Sequence, residues 1–364
     1  MRIGVPLEVK PLEGRVGLIP PACADLVAAG HRVLVQAGAG RASGFSDDDY
    51  RRLGVEVVPD AEALYGQAEL VVKVKEPVAE DLRWLRRDHL LFCYLHLAAN
   101  PELACRLRDI GLTAIAFETV QDDSGLPLLA PMSDIAGRIA AQVGTHLLHA
   151  PQGGKGLLLG GLPGARRGQA VVVGAGTAGG AAATVLAALG ARVTVFDRRR
   201  ERLEVMRALG NGVTALYPYA DELEAAVRDA DLLVGAVLIP GARAPRVVSR
   251  AMVAAMGPGS VVVDISVDQG GCIETTRPTD YRAPTYLEAG VLHFAVTNMP
   301  GGVPRTASEA LSAALTPYVL RLAGGDWADD PALARGLNLQ AGEILHPAVA
   351  DAVGDACERP DPAV

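Results

Sequence analysis

The chain has no apolar run approaching the roughly 20 residues that a membrane-spanning helix needs, so no transmembrane helix is expected. Its opening, Arg2-Ile3-Gly4-Val5-Pro6, does not carry the apolar stretch of a secretory signal. Positive charge is short as well. The 34 Lys and Arg are outnumbered by 42 Asp and Glu, for a net charge of −8, which argues against a nucleic acid held on a broad basic face. Cysteine is sparse and unpatterned: Cys23, Cys93, Cys105, Cys272 and Cys357 are odd in number, far apart, and contain no CxxC pair. That spacing predicts neither a disulfide framework nor a zinc site, and it points to a reducing, cytoplasmic compartment. There is no HExxH, and His146 and His149 have no thiol or carboxylate beside them, so no metal site is expected. A short-period repeat is also missing.

What is present is a globular composition over 364 residues, 50% hydrophobic and 21% charged, long enough for two domains. Strand-like runs alternate with helical ones in two series. The first holds strands at Arg2–Val9, His31–Ala37, Val55–Val58, Leu70–Lys75, Leu90–Leu97 and Thr113–Val120. A long helical pattern, Met132–His149, then leads to a second series that starts at Ala170 and ends near Leu292–Val296. Helical patterns return at Glu309–Leu322 and His346–Val353. This rhythm predicts an α/β fold of two Rossmann-like, doubly wound domains with a cleft between them.

The second series opens with a dinucleotide fingerprint. Ala170-Val171-Val172-Val173 is followed by Gly174-Ala175-Gly176-Thr177-Ala178-Gly179, a GxGxxG between strand and helix. The first glycine makes the turn, the second admits a pyrophosphate to the backbone, and the third lets helix and strand pack closely. The next strand, Arg192–Phe196, ends on Asp197, placed to accept hydrogen bonds from ribose hydroxyls. Its charge favours NAD over NADP, although Arg198, Arg199 and Arg200 offer partners for a 2′-phosphate.

Ionisable residues fall at the ends of strands in the first series, where open α/β sheets bind ligands. Lys75 ends one strand and His96 lies near the end of another; Arg15 occupies the loop after the first. An ammonium and a guanidinium suit a carboxylate or carbonyl, and an imidazole exchanges a proton near neutral pH. For His96, a packed structural role is the alternative. In the second series Asp268 stands just beyond the strand Val261–Ile265, with Asp264 inside it as the more structural acid.

The blocks around these residues resemble, in order and over nearly the whole chain, the alanine dehydrogenase and nicotinamide nucleotide transhydrogenase family. They include Arg2–Pro6 with Glu13-Gly14-Arg15-Val16, Val74-Lys75-Glu76-Pro77, Tyr94-Leu95-His96-Leu97, Phe117-Glu118-Thr119-Val120, Gly174–Gly179, Asp268-Gln269-Gly270-Gly271-Cys272 and Asn298-Met299-Pro300-Gly301. The resemblance implies His96 and Asp268 as catalytic acid/base residues, with Arg15, Lys75 and Tyr94 around the substrate. It implies a cofactor shell of Ser133, Gly174, Gly176, Thr177, Ala178, Gly179, Asp197, Arg202, Val237, Leu238, Ile265, Ser266, Val267, Asp268, Arg277, Val296, Thr297, Asn298 and Met299. It further implies a substrate domain of residues 1–127 plus 305–364, an NAD domain of residues 128–304, and a homohexamer. The implied reaction interconverts L-alanine with pyruvate and ammonium. Action on another small 2-oxo acid such as glyoxylate, or service as an NAD-binding transhydrogenase-like subunit, stays open. Leu7, Ile19 and Pro218 depart from the family pattern.

Overall fold

In the computed structural model, residues 1–237, 244–354 and 357 are described. Fifteen strands form among the described residues. The first six are β1 (Arg2–Val5), β2 (Arg32–Gln36), β3 (Glu56–Val58), β4 (Leu70–Val72), β5 (Leu90–Cys93) and β6 (Thr113–Ala116). Then come β7 (Gln169–Val173), β8 (Arg192–Phe196), β9 (Val213–Leu216), β10 (Leu232–Gly235), β11 (Val261–Asp264), β12 (Thr285–Glu288) and β13 (Val291–Phe294). The last two, β14 (Leu337–Gln340) and β15 (Glu343–Ile344), lie near the C-terminus. The chain divides into two compact units, residues 1–132 with 303–364, and residues 133–302.

The first unit carries an eight-stranded sheet in the order β15-β14-β6-β5-β4-β1-β2-β3. Its six leading strands are parallel, and β14 adds to β6 antiparallel. β4 and β5 are buried along their whole length, as expected of parallel strands covered on both faces. Helices start and stop where local chemistry directs. In helix 101–110, Pro101 takes the first position, the Asn100 side chain accepts the Leu103 N–H at 3.2 Å, and Gly111 ends the helix in the left-handed region. The C-terminal portion joins this unit through a 21-residue helix, Pro304–Gly324. The Ser308 hydroxyl accepts the Val16 N–H at 2.9 Å, and that of Ser312 accepts the Ile19 N–H and donates to the Gly17 carbonyl, both at 2.9 Å.

The second unit carries a seven-stranded sheet, β12-β13-β11-β10-β7-β8-β9, parallel except for the β12–β13 hairpin. The order reverses between β7 and β10, which is the topological switch point of a dinucleotide fold. Valines fill its core: Val171, Val173, Val262 and Val253 pack with Leu233 and Phe196.

Three features differ from the sequence expectations. The antiparallel strands β12, β14 and β15 were not foreseen; each has at most four residues, too few for an alternation pattern to register. The patterns Leu70–Lys75 and Leu90–Leu97 are strands only to Val72 and Cys93, so Lys75 stands beyond its strand rather than ending it, and His96, at a left-handed φ of 49°, belongs to no strand. The third correction concerns disulfides. Cys105 and Cys357 are bonded, across a sequence separation of 252. Spacing along the chain carries no information about such a pair; only the docking of the C-terminal segment beside helix 101–110 brings the sulfurs together.

Candidate active site

In the first unit the strand order reverses between β1 and β4, and four adjacent strands, β6, β5, β4 and β1, send their carboxyl ends in one direction. Glu8 follows β1, Lys73 and Lys75 follow β4, Tyr94 and His96 follow β5, and Glu118 follows β6. The chain has only four lysines against thirty arginines, and three of the four, Lys10, Lys73 and Lys75, are gathered here.

The charges are interlocked. Arg15 is 2% exposed, and Glu13 takes its Nε at 2.7 Å and its Nη2 at 2.5 Å as a two-pronged pair. Burial works against the guanidinium, but the bonds and charge of Glu13 hold its pKa above the ordinary value. The third nitrogen, Nη1, lies 3.2 Å from the thioether sulfur of Met132. Lys73 is fully buried between Asp81, at 2.7 Å, and Glu8, at 3.5 Å. Burial raises the Glu8 pKa, opposed by Lys73 and by the Val74 N–H, which donates to it at 2.5 Å. Glu8 also accepts the Lys75 N–H at 3.4 Å, so this carboxylate grips the backbone that carries Lys75. Lys75 itself is half-buried, beside Glu76, which pairs with Lys10.

Tyr94 is buried, donates to the Leu128 carbonyl at 2.6 Å, and packs edge-on to Phe117. Its ring stacks on His96 at 5.9 Å with 3° between planes, and its phenol feels the charge of Arg15. His96 is exposed, with Glu118 behind it. Glu118 accepts the His96 N–H at 2.6 Å and the Leu95 N–H at 3.2 Å, and one of its oxygens is 3.9 Å from His96 Nδ1. The left-handed backbone at His96 is thus held by a carboxylate, the kind of over-determined strain that accompanies functional positions. Arg15, Tyr94 and His96 come together in this unit. Sequence reasoning missed Glu8, Glu13, Lys73 and Glu118; for Glu118 the available signal was its place at a strand end beside that of His96.

In the second unit the glycines behave as a phosphate turn requires. Gly174 has φ 100°, and a Cβ there would stand 2.4 Å from the Ala236 carbonyl. A Cβ on Gly179 would stand 1.7 Å from the Gly174 carbonyl oxygen. Helix 177–188 begins directly after Gly176, so its first N–H groups lack intrahelical acceptors and face the turn with a partial positive charge. Asp197 is locked onto this turn. It accepts the Ala175 N–H at 2.8 Å and the Arg199 N–H at 2.9 Å, with Arg202 at 3.7 Å. A carboxylate offers about four acceptor sites, so capacity for hydroxyl donors remains. Thr177 and Ala178 open the helix. Gly137, one turn beyond Ser133, packs so tightly on Ala178 that a Cβ would lie 2.0 Å from its carbonyl oxygen. Val237 adjoins Gly174; Leu238 lies outside the described residues.

The remaining cofactor-shell residues form a second group. Ile265, Ser266, Val267 and Asp268 make a short 3₁₀ turn after β11. Asp268 is exposed and accepts the N–H of Asn298, itself left-handed at φ 58°, at 3.2 Å. Thr297 and Val296 follow β13 and pair with Thr279, and the Met299 carbonyl accepts the Tyr281 hydroxyl at 2.6 Å. The Arg277 guanidinium lies over the Tyr286 ring at 4.1 Å, and that ring stacks on His293. Taken together, the glycine cradle, the helix start and the poised Asp197 fit a dinucleotide.

Two sequence-family models match the chain: "Alanine dehydrogenase/PNT, N-terminal domain" over residues 4–136 and "Alanine dehydrogenase/PNT, C-terminal domain" over residues 140–347. The alanine dehydrogenases of Halomonas elongata and Mycobacterium tuberculosis strain H37Rv are each 48% identical over 360 residues, covering 97% of this chain and 97% of theirs. That of Bacillus subtilis strain 168 is 47% identical, covering 97% and 95%. Among solved structures, an L-alanine dehydrogenase superposes with a TM-score of 0.94 at 49% identity, covering 98% of this chain and 99% of that one. A transhydrogenase from Sinorhizobium meliloti gives 0.83 at 25% identity, covering 96% and 100%. The fold and these likenesses define an α/β oxidoreductase with a nucleotide-binding domain. Within that class, the chain belongs to the alanine dehydrogenase/PNT family.

Proposed function

We infer that the protein catalyses the reversible oxidative deamination of L-alanine, converting alanine, water and NAD⁺ to pyruvate, ammonium, NADH and a proton. The observation that carries this reading is an intact set of Arg15, Lys75, His96 and Asp268 in a chain 48% identical over nearly its full length to enzymes named alanine dehydrogenase. When bound, NAD supplies the acceptor for the Cα hydride. Gly174, Gly176, Thr177, Ala178 and Gly179 would hold its pyrophosphate, and Asp197 its ribose. Ser133, Arg202, Val237, Leu238, the runs Ile265–Asp268 and Val296–Met299, and Arg277 would complete the shell.

Arg15 and Lys75 hold the substrate carboxylate and its 2-oxo or amino carbon in one orientation, a large entropic contribution to rate. A substrate carboxylate is a much stronger acceptor for Arg15 Nη1 than the Met132 sulfur facing it. Tyr94 lines the pocket and fixes the plane of His96. In deamination the substrate's ammonium first gives up the proton that the overall reaction releases, and departure of the Cα hydride then leaves an iminium carbon. His96 takes the proton of the attacking water and returns it to the nitrogen of the carbinolamine, Asp268 stabilises the cationic nitrogen, and the carbinol O–H proton passes to the departing ammonia, giving ammonium and the pyruvate carbonyl.

A panel of 2-oxo acids with ammonium, followed by loss of NADH absorbance, tests this reading. Pyruvate is expected to be used best. Preference for a bulky 2-oxo acid overturns the alanine assignment, and preference for glyoxylate moves it one methyl down. A transhydrogenase-like subunit is disfavoured by the lower identity to that relative and by the presence of Lys75 and His96 together. We further propose a homohexamer in the cytoplasm. No helix among the described residues is long and apolar enough to cross a membrane. The Cys105–Cys357 bond is the feature that pulls against a reducing compartment.

A further inference from the structure

Asp264 ends β11 and is completely buried, yet no cation pairs with it among the described residues. Its partners are hydrogen-bond donors. Oδ1 accepts the Ser266 N–H at 2.9 Å and faces the Cys272 thiol at 3.6 Å. Oδ2 accepts the Cys272 N–H at 3.0 Å, the Ile273 N–H at 3.2 Å and the Thr276 hydroxyl at 2.6 Å. Every donor lies between 266 and 276, a segment that leaves the strand end and returns to it. Two glycines make the room: a Cβ on Gly271 would stand 2.9 Å from Oδ2, and one on Gly235 would stand 3.2 Å from Oδ1. Burial raises the carboxyl pKa, and these bonds oppose the rise.

We infer that Asp264 is a positioning residue: it fixes the 265–277 segment, and through it Asp268 and Arg277, in the arrangement that cofactor binding and turnover require. The inference rests on the reading given above of Asp268 and Arg277 as functional. The pattern of donors supports it. A buried carboxylate is costly where simple packing would be served by an apolar side chain. Here the two oxygens together are matched to donors from both ends of one loop, Ser266 at its start and Cys272, Ile273 and Thr276 at its end, and the exposed Asp268 lies between them. Arg277 follows Thr276 directly. Asparagine cannot substitute, because either orientation of its amide turns an NH₂ toward a backbone N–H.

The test uses the full-length protein with Asp264→Asn, Thr276→Val and, as the conservative control, Thr276→Ser. Three readouts are taken: hydrogen exchange of peptides spanning 265–277 without cofactor, the NADH dissociation constant by fluorescence, and kcat and KM for pyruvate. Asp264→Asn is expected to accelerate exchange within 265–277 alone, to weaken NADH by about tenfold or more, and to lower kcat at saturating cofactor by a similar factor. Thr276→Val should move each readout in the same direction by less, and Thr276→Ser should restore them to within about twofold of the unaltered protein. If the variants only lower the melting temperature, with NADH affinity, exchange and kcat per folded chain unchanged, Asp264 is structural and the inference is overturned. If Asp264→Asn does not fold, Thr276→Val decides: unchanged exchange and affinity overturn the inference. If the unaltered protein fails to turn over any 2-oxo acid while NADH affinity and exchange respond as expected, the alanine reading falls and the positioning role of Asp264 for the cofactor segment stands.

Discussion

The two units are built on the same strand order, 3-2-1-4-5-6 with antiparallel additions at one edge, and they differ in what stands at the reversal. In the first unit the reversal is ionic. The side chains of Glu8, Glu13, Arg15, Lys73 and Asp81 are all buried there, Arg15 paired with Glu13 and Lys73 with Glu8 and Asp81. In the second it is backbone: three glycines and a helix start, with Asp197 bound to a main-chain N–H. The same scaffold therefore presents two kinds of receptor. Side-chain charges suit a small anion that offers few contacts, whereas open backbone suits a pyrophosphate that must come close. Breaking either receptor should leave the other intact.

The largest effect is expected from His96→Ala. Turnover should fall at least about 10²–10⁴-fold, the usual contribution of a proton-transfer residue, with NADH affinity unchanged. Near-normal turnover in a folded variant would return His96 to a packing role. The mirror experiment is Gly174→Ala, which puts a Cβ against the Ala236 carbonyl at a φ that L-residues rarely adopt. NADH binding should be lost by calorimetry while the first unit keeps its protection from hydrogen exchange; retained affinity would remove the cradle from the site.

Next in size are Lys75→Ala and Arg15→Lys. Each should reduce kcat/KM for pyruvate by about tenfold or more, from charge-assisted contacts of about 1.5–3 kcal/mol, with little change in NADH affinity. Because both act on one small molecule, the double variant should lose less than the product of the two. Lysine is the better replacement at 15, since alanine would leave Glu13 buried without its partner. Wild-type pyruvate kinetics in both variants would detach this cluster from the substrate.

A smaller change is expected at Asp197. The unaltered enzyme should prefer NAD over NADP in kcat/KM, and Asp197→Ala should narrow that preference by removing charge repulsion from a 2′-phosphate. Equal use of the two cofactors by the unaltered enzyme would shift attention to Arg198 and Arg199.

The smallest effect should be common to both units. Each buries a histidine in its neutral form. His89 accepts the Arg86 N–H at Nδ1 and donates from Nε2 to the Tyr65 carbonyl; His293 donates from Nδ1 to the Val291 carbonyl and faces the Thr275 hydroxyl at Nε2. Burial lowers both pKa values. The unfolded chain therefore binds protons that the folded chain refuses. Stability present above the ordinary histidine pKa of about 6.5 should be lost as pH falls through it. Melting temperatures measured from pH 7.5 down to 5.5 should decline, and a flat profile would contradict the neutral assignment.

These contrasts also explain which features are legible in the amino-acid sequence alone. The segment from Ala170 to Asp197 was fully legible. Its turn, helix start and acidic residue obey rules that act within about thirty residues, and glycine is the residue those rules demand. His96, Lys75 and Arg15 were legible as candidates because each follows a recognisable strand. Glu118, whose carboxylate holds the backbone of His96, was not. Its position after β6 marks it only as one more strand-end residue, and its partner is 22 positions away, so the pairing itself is invisible along the chain. Lys73 alternates with Lys75 and read as one more strand residue, although it is among the most deeply buried cations in the chain.

By itself, then, the sequence determined the α/β rhythm, the dinucleotide turn and the ionisable residues at strand ends, because period, turn chemistry and glycine requirement are local. Only the tertiary structure decided how the C-terminal helix is held to the first unit, through the hydroxyls of Ser308 and Ser312, that Cys105 meets Cys357, and that Asp264 gathers the donors of the 266–276 segment. Each of these depends on groups brought together by chain closure, and a buried charge or hydrogen-bond donor is indifferent to how far along the chain its partner lies.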